Sequence, residues 1–172
     1  TIMPIKKIVD LAKEKNIPVL VDGTQGAPHL EIDMQKLGCD FYAISCHKMY
    51  GPNGLGILYA KKKWLDELPP YQGGGGMISE VLKEKVTFAT SPTKFEAGTM
   101  QTAEVVAFSE AIKFIKDLGI ENIQNHENEV LEYGNEKLRR NNSVNIVGDP
   151  SNRGSVICFT MKGIHPHDIA TI

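Results

Sequence analysis

Two stretches decide how this chain folds: Val19-Leu20-Val21-Asp22-Gly23-Thr24-Gln25, and Asp40-Phe41-Tyr42-Ala43-Ile44-Ser45-Cys46-His47-Lys48. Each opens as a short run of β-formers and ends on polar, chemically capable side chains. Val19-Leu20-Val21 is wholly apolar, the pattern of a buried parallel strand, and it ends on Asp22. A looser segment from Thr24 to Leu37 leads to the second strand, Asp40 to Ser45. Upstream, Pro4 followed by Ile5, Ile8, Val9 and Ala12 gives a 3.6-residue apolar period with proline in the first turn, which predicts a helix that Asn16-Ile17-Pro18 stops. Downstream, Leu55 to Ala60 reads as a third strand after a glycine-rich turn. Helices alternating with short apolar strands predict an α/β layer with a mostly parallel sheet.

Beyond this unit the pattern changes. Residues 69–99 are less regular, and Pro69-Pro70 with Gly73-Gly74-Gly75-Gly76 mark a loop that needs a permissive or closely approached backbone. Val105, Val106, Phe108, Ala111, Ile112 and Ile115 define a strongly periodic helix from Gln101 to Leu118, with Gly119 suited to its C′ position. A second helix is expected from about Glu121 to Arg140. Val144 to Val147, the turn Gly148-Asp149-Pro150-Ser151-Asn152, and Ser155 to Met161 then read as strand, turn, strand. The expected boundary falls near Gly119, with a large unit over 1–118 and the beginning of a smaller α+β unit over 119–172. Thr1-Ile2-Met3-Pro4 starts inside a connection, and His167 to Ile172 reads as the first turn of a helix. The sequence is therefore expected to be a segment of a longer chain.

Composition removes several function classes. The 172 residues carry 19 Lys and Arg against 21 Asp and Glu, a net charge of −2, with 41% hydrophobic and 23% charged residues. That near-neutral balance offers no electrostatic footprint for nucleic acid or an anionic membrane. No apolar run approaches the roughly 18 residues of a membrane span. The three cysteines, Cys39, Cys46 and Cys158, form neither a disulfide framework nor a zinc ribbon. A reducing compartment, the cytoplasm or an organelle matrix, is the expectation.

In open parallel sheets ligands gather at the carboxyl ends of strands. Asp22 lies at one such end, and Ser45, His47 and Lys48 lie just past another. An acid there needs a cationic partner. A lysine beside it can serve as a nucleophile toward a carbonyl. Pyridoxal phosphate sites use such a pair, a lysine that holds the cofactor and an aspartate on its protonated ring nitrogen. Ser45 and His47 then become candidate phosphate contacts. Taken singly, an aspartate after a strand is a turn former and a lysine there is solvated, so both readings stand on these letters alone.

Longer matched stretches carry a resemblance. Val21-Asp22-Gly23-Thr24-Gln25-Gly26-Ala27-Pro28-His29, Asp40-Phe41-Tyr42, and Ser45-Cys46-His47-Lys48-Met49-Tyr50-Gly51-Pro52-Asn53-Gly54-Leu55-Gly56 resemble the class V aminotransferase-like cysteine desulfurases, nearest the SufS/CsdB-like, NifS-related group. Gly73-Gly74-Gly75-Gly76-Met77-Ile78 and Phe95-Glu96-Ala97-Gly98-Thr99 extend the likeness over essentially the whole sequence. The resemblance implies the fold type I pyridoxal phosphate-dependent transferase fold, represented by part of the large domain and the start of the C-terminal one. It implies Lys48 as the lysine that holds pyridoxal 5′-phosphate and Asp22 as the ring-nitrogen partner. Gln25 falls to the phenolic oxygen, and Ser45 and His47 to the phosphate. Gly98-Thr99 is implied to reach the phosphate in the other subunit of a homodimer. The implied reaction converts L-cysteine to L-alanine and leaves sulfur as an enzyme persulfide, passed to a SufE/SufU-like acceptor for iron–sulfur cluster assembly. A selenocysteine lyase, a kynureninase-like or epimerase-like relative, and a non-catalytic scaffold remain the alternatives.

The family's nucleophilic cysteine, ring-stacking histidine and substrate-carboxylate arginine match no position here, and Arg153 is a poor substitute for the last. Cys39, Cys46 and Cys158 are all read as packing residues, with alternation pointing Cys46 away from the site that Ser45 and His47 face. The segment alone is therefore expected to be inactive. Gly51 to Gly56 has the wrong glycine spacing for a dinucleotide fingerprint and precedes a strand. His165-Pro166-His167-Asp168 reads as the turn that starts a helix, with no metal site expected. Lys61-Lys62-Lys63 is expected to be a solvated surface turn. Trp64 and Tyr71 are read as packing residues, in the core or at a dimer interface.

Overall fold

A computed structural model describes residues 1–148 and 150–172. The first apolar stripe forms helix α1 (Ile5–Glu14), which buries Val9. Strand β1 (Leu20–Asp22) and helix α2 (Met34–Leu37) follow. The Asp33 carboxylate accepts the N–H groups of Gln35 and Lys36, and Gly38 at φ 76° closes the helix. Those two caps let a single turn of helix persist. Strand β2 (Phe41–Ser45) pairs parallel with β1, from Leu20↔Phe41 to Asp22↔Ala43. Strand β3 (Gly56–Ala60) pairs antiparallel with β2, from Phe41↔Ala60 to Ser45↔Gly56. The connection between β2 and β3 is too short for the crossover that parallel pairing requires, so the chain folds straight back.

Val21 enters a core with Val9, Cys39 and Tyr42, against which Ile5, Val19, Ile32, Met34, Leu37, Ile44 and Tyr59 pack. Period-two alternation sends Leu20 to the opposite face, where it is 61% exposed.

Lys62 and Lys63 of the lysine run are exposed, as expected, but they open a helix, α3 (Lys62–Glu67), instead of a turn. Lys61 is half-buried and is its N-cap. The Lys61 ammonium donates to the Gly38 carbonyl at 2.7 Å and to Asp40 at 3.1 Å. Lys62 bonds Asp66 at 2.6 Å. The Asp40 carboxylate also accepts the Val19 N–H at 3.0 Å and the Trp64 indole N–H at 2.9 Å. Trp64 stacks on Phe41 with centroids 5.9 Å apart, whereas Tyr71 stands in solvent.

The irregular region contains a hairpin that its letters conceal. Strands β4 (Ile78–Val81) and β5 (Val86–Phe88) pair antiparallel with a register shift between Ile78 and Glu80. The turn closes from the Leu82 N–H to the Lys85 carbonyl at 2.8 Å. Its strands lie on the surface, so no apolar alternation was needed to build them. Helix α4 (Thr102–Leu118) buries Phe108, Ala111 and Ile115. Phe108 and Ala111 enclose Cys46, with Met49 and Leu55 alongside.

The chain divides into two compact units, Ile5–Ile115, and Thr1–Pro4 together with Lys116–Ile172. In the latter, Gly119 at φ 80° ends α4 and starts helix α5 (Ile120–Arg139). Strands β6 (Val144–Ile146) and β7 (Phe159–Met161) form an antiparallel ribbon. Ile157 and Phe159 line a groove of about 530 Å³ with Leu131 and Leu138 of α5. Cys158 lies between them in sequence, ahead of the paired strand, and is exposed, which corrects its reading as a core residue. Asp149 of the predicted turn lies outside the described residues. Helix α6 (Pro166–Thr171) starts at His165, whose ring accepts the His167 N–H at 3.2 Å, so the two histidines build a cap. Among the described residues no helix is long and apolar enough to cross a membrane.

Candidate active site

Because β1 and β2 run parallel, their carboxyl ends lie side by side, and Ser45 extends two residues beyond the level of Asp22. The Gly23 N–H continues the ladder to the Ala43 carbonyl at 2.9 Å. A side chain at position 23 is ruled out by the buried Tyr42 ring, which would stand 1.9 Å from its Cβ. The chain then tightens, with Gly26 and Ala27 donating to the Gly23 carbonyl at 2.9 and 2.8 Å. That turn presents Gln25 to solvent.

After β2 the backbone enters a 3-10 turn, Cys46–Met49. Cys46 is fully buried against Phe108 and Ala111, while His47 and Lys48 are exposed. The turn closes at Tyr50, which adopts φ 60° and donates its N–H to the Cys46 carbonyl. Tyr50 meets Phe114 edge-on at 5.5 Å. Gly51 approaches so closely that a Cβ there would lie 2.5 Å from the Phe108 ring and 2.8 Å from the Cys46 carbonyl oxygen. The Lys48 turn is therefore clamped on α4.

The polar groups at these ends interact. Ser45 Oγ and His47 Nδ1 are 2.8 Å apart. The Asp22 carboxylate accepts the Thr24 N–H at 3.0 Å. Its pKa lies below the ordinary carboxylate value because the Thr24 hydroxyl and amide both bond it, with the Lys48 charge adding to the effect. The structure thus brings Asp22, Ser45, His47 and Lys48 to one end of the sheet, with Gln25 on the adjoining turn. Gly98 and Thr99 stand in another loop, where the Gly98 N–H donates to Gly75 at 2.9 Å. A Cβ at Gly74 would meet the Gly98 nitrogen at 2.8 Å, so this one glycine of the run permits the close approach, while Gly76 takes a positive φ of 83°. Sequence reasoning missed Thr24, although the Asp-x-Thr spacing of a side-chain-closed turn was the available signal.

The whole chain, residues 1–172, matches the family described as Aminotransferase class-V, and it belongs to that family. Its fold is the fold type I architecture of pyridoxal phosphate-dependent cysteine desulfurases. It is 41% identical over 172 residues to a probable cysteine desulfurase of Xylella fastidiosa, covering 100% of this chain and 41% of that protein. It is 42% identical over 172 residues to a cysteine desulfurase of Yersinia pestis, covering 99% and 42% respectively. Among solved structures, the cysteine desulfurase CsdA (S-sulfonic acid) of Escherichia coli superposes with a TM-score of 0.93 at 32% identity, over 99% of this chain and 42% of that one. The chain thus spans about two fifths of the length of these relatives.

The family's cofactor is pyridoxal 5′-phosphate, and the donor set fits it. Asp22 is a carboxylate held in its charged form, as a protonated ring nitrogen requires. Ser45 and His47 form a bonded hydroxyl–imidazole pair suited to a phosphate, and Lys48 supplies an exposed primary amine.

Proposed function

We propose that the protein carrying this chain is a pyridoxal phosphate-dependent cysteine desulfurase of the SufS-like group. It takes L-cysteine to L-alanine and leaves the sulfur as an enzyme persulfide destined for iron–sulfur clusters. The observation that carries this reading is the convergence of Asp22, Ser45, His47 and Lys48 at the carboxyl ends of two parallel strands. Likeness to cysteine desulfurases over the full 172 residues supports the substrate.

When bound, the cofactor supplies an electron sink for negative charge at the substrate's α-carbon. Asp22 keeps the ring-nitrogen proton in place by staying anionic. Ser45 and His47 bind the phosphate, with the Ser45 bond fixing which ring nitrogen of His47 faces it. Gln25 bonds the phenolic oxygen. Lys48 would hold the cofactor through its side-chain amine, and that amine is the group placed to move the proton at the substrate's α-carbon. Residues 1–118 belong to the cofactor domain, and 119–172 begin the smaller C-terminal domain. Gly98 and Thr99 complete the site of the second subunit in a homodimer. A SufE/SufU-like protein accepts the sulfur in the cytoplasm.

Lys48→Ala tests the assignment. Borohydride treatment of the natural protein with cofactor should fix the label on the peptide containing Lys48, and the variant should fix none. Alanine formation should fall by about 10²–10⁴-fold or more. A borohydride-fixed cofactor on another residue of the variant would remove Lys48 from its role.

A further inference from the structure

We infer that Asp66 is a positioning residue: through Ser91 it holds the segment that presents Gly98 and Thr99, a role that rests on the phosphate contact proposed above for that pair. Asp66 lies in the last turn of α3. Its carboxylate accepts the Ser91 hydroxyl at 2.5 Å, and its main-chain carbonyl accepts the Lys94 ammonium at 3.0 Å. A carbonyl in the last turn of a helix lacks an intrahelical donor, so the lysine caps α3 as it binds. The two bonds join positions 25 and 28 residues apart, and so tie one end of the segment to the helix. Asp66 also pairs with Lys62 at 2.6 Å, a contact within α3 that does not involve the segment.

Both sides of this link are held. The Trp64 indole N–H and the Lys61 ammonium bond Asp40 at 2.9 and 3.1 Å, which seats α3 on the sheet at the start of β2. That strand ends at Ser45, just before His47 and Lys48. On the other side the backbone runs in consecutive turns, with Lys94 donating to Thr90 at 3.3 Å, Phe95 to Pro92 at 2.9 Å and Glu96 to Thr93 at 3.0 Å. The Gly98 N–H then reaches the Gly75 carbonyl at 2.9 Å. The segment is therefore pinned at α3 by Asp66 and at the glycine run by Gly75. Consecutive turns leave little slack between the two pins, so releasing the Asp66 end shifts Gly98 and Thr99. A subunit that lends this pair to its partner's cofactor has to hold it fixed relative to its own sheet, and the Asp40–α3–Asp66–Ser91 series of bonds does so.

Affinity for pyridoxal 5′-phosphate and for pyridoxal, which lacks the phosphate, separates this role from a general effect on the fold. In the whole protein, Asp66→Ala and Ser91→Ala should each raise the Kd for pyridoxal 5′-phosphate about three- to tenfold and leave that for pyridoxal unchanged. The double variant should be no worse than either single one, because both delete the same bond. Asp66→Asn keeps an oxygen acceptor for the Ser91 hydroxyl and should recover most of the affinity, and Lys62→Ala should match the natural protein. Equal weakening of both ligands, unaltered affinity in Asp66→Ala, an asparagine variant as impaired as the alanine one, or an equal loss in Lys62→Ala would overturn the positioning role. A natural protein that binds pyridoxal as tightly as pyridoxal 5′-phosphate would instead remove the phosphate contacts proposed above, and this role with them.

Discussion

At the start of β2, Asp40 is 8% exposed, and burial alone favours its neutral form. Hydrogen bonds from the Trp64 indole, the Val19 N–H and the Lys61 ammonium outweigh that desolvation and lower its pKa from 3.8 to about 2. A pKa depressed in the folded state adds stability above the unfolded value and loses it as pH falls through the folded one. The difference between 3.8 and about 2 corresponds to about 2 kcal/mol at neutral pH. Asp40→Asn should therefore be destabilised by about 2 kcal/mol at pH 7, and the deficit should shrink between pH 4 and pH 2. Urea midpoints measured across that range check it, and a deficit that does not change with pH would show that the charge is immaterial. This residue also shows what the letters hide. Asp40 read only as the first residue of a strand, because its donors come from positions 19, 61 and 64, and separations of that size follow from packing. The strand-end residues were legible for the opposite reason, since their placement follows from β1 and β2 being strands at all.

Elements carry the site only where the backbone fits tightly. The Cys46–Met49 turn rests on α4 through Cys46, and Gly51 leaves no space for a Cβ beside Phe108 and the Cys46 carbonyl. The carbonyl belongs to the same turn as Lys48, so a methyl group at position 51 must displace the turn or the helix. Gly51→Ala is expected to cost about 1–3 kcal/mol of stability, the range for overpacking, and to weaken pyridoxal phosphate binding. Gly73→Ala is the control, because a Cβ there meets nothing within 4 Å, and its effect should stay within about 0.5 kcal/mol. Thermal unfolding and cofactor titration of the two variants separate a tight site from a general aversion to replacing glycine. The strand ends, the long helices and the loop around the glycine run were readable from period and turn residues. The β4–β5 hairpin was not, because its exposed strands lack the apolar alternation by which half-buried strands announce themselves.

Across the whole molecule the three thiols sort by environment. Cys39 and Cys46 are fully buried in the Ile5–Ile115 unit, and burial raises both pKa values. A thiol both inaccessible and held in its neutral form is a poor nucleophile, since the thiolate is the reactive species. Cys158 is exposed in the other unit, at the start of a short two-stranded ribbon. A desulfurase needs a thiolate that reaches substrate sulfur, and neither buried cysteine meets that requirement. Iodoacetamide applied to the native 172-residue chain should therefore modify Cys158 first and leave Cys39 and Cys46 unmodified until denaturant opens the unit. Peptide mass spectrometry of a time course gives the answer, with three modified sites expected only after unfolding. Equal labelling of Cys46 and Cys158 in the native chain would mean that the Phe108–Ala111 contact opens readily. The Lys48 turn would then lack the fixed seat that its amine needs.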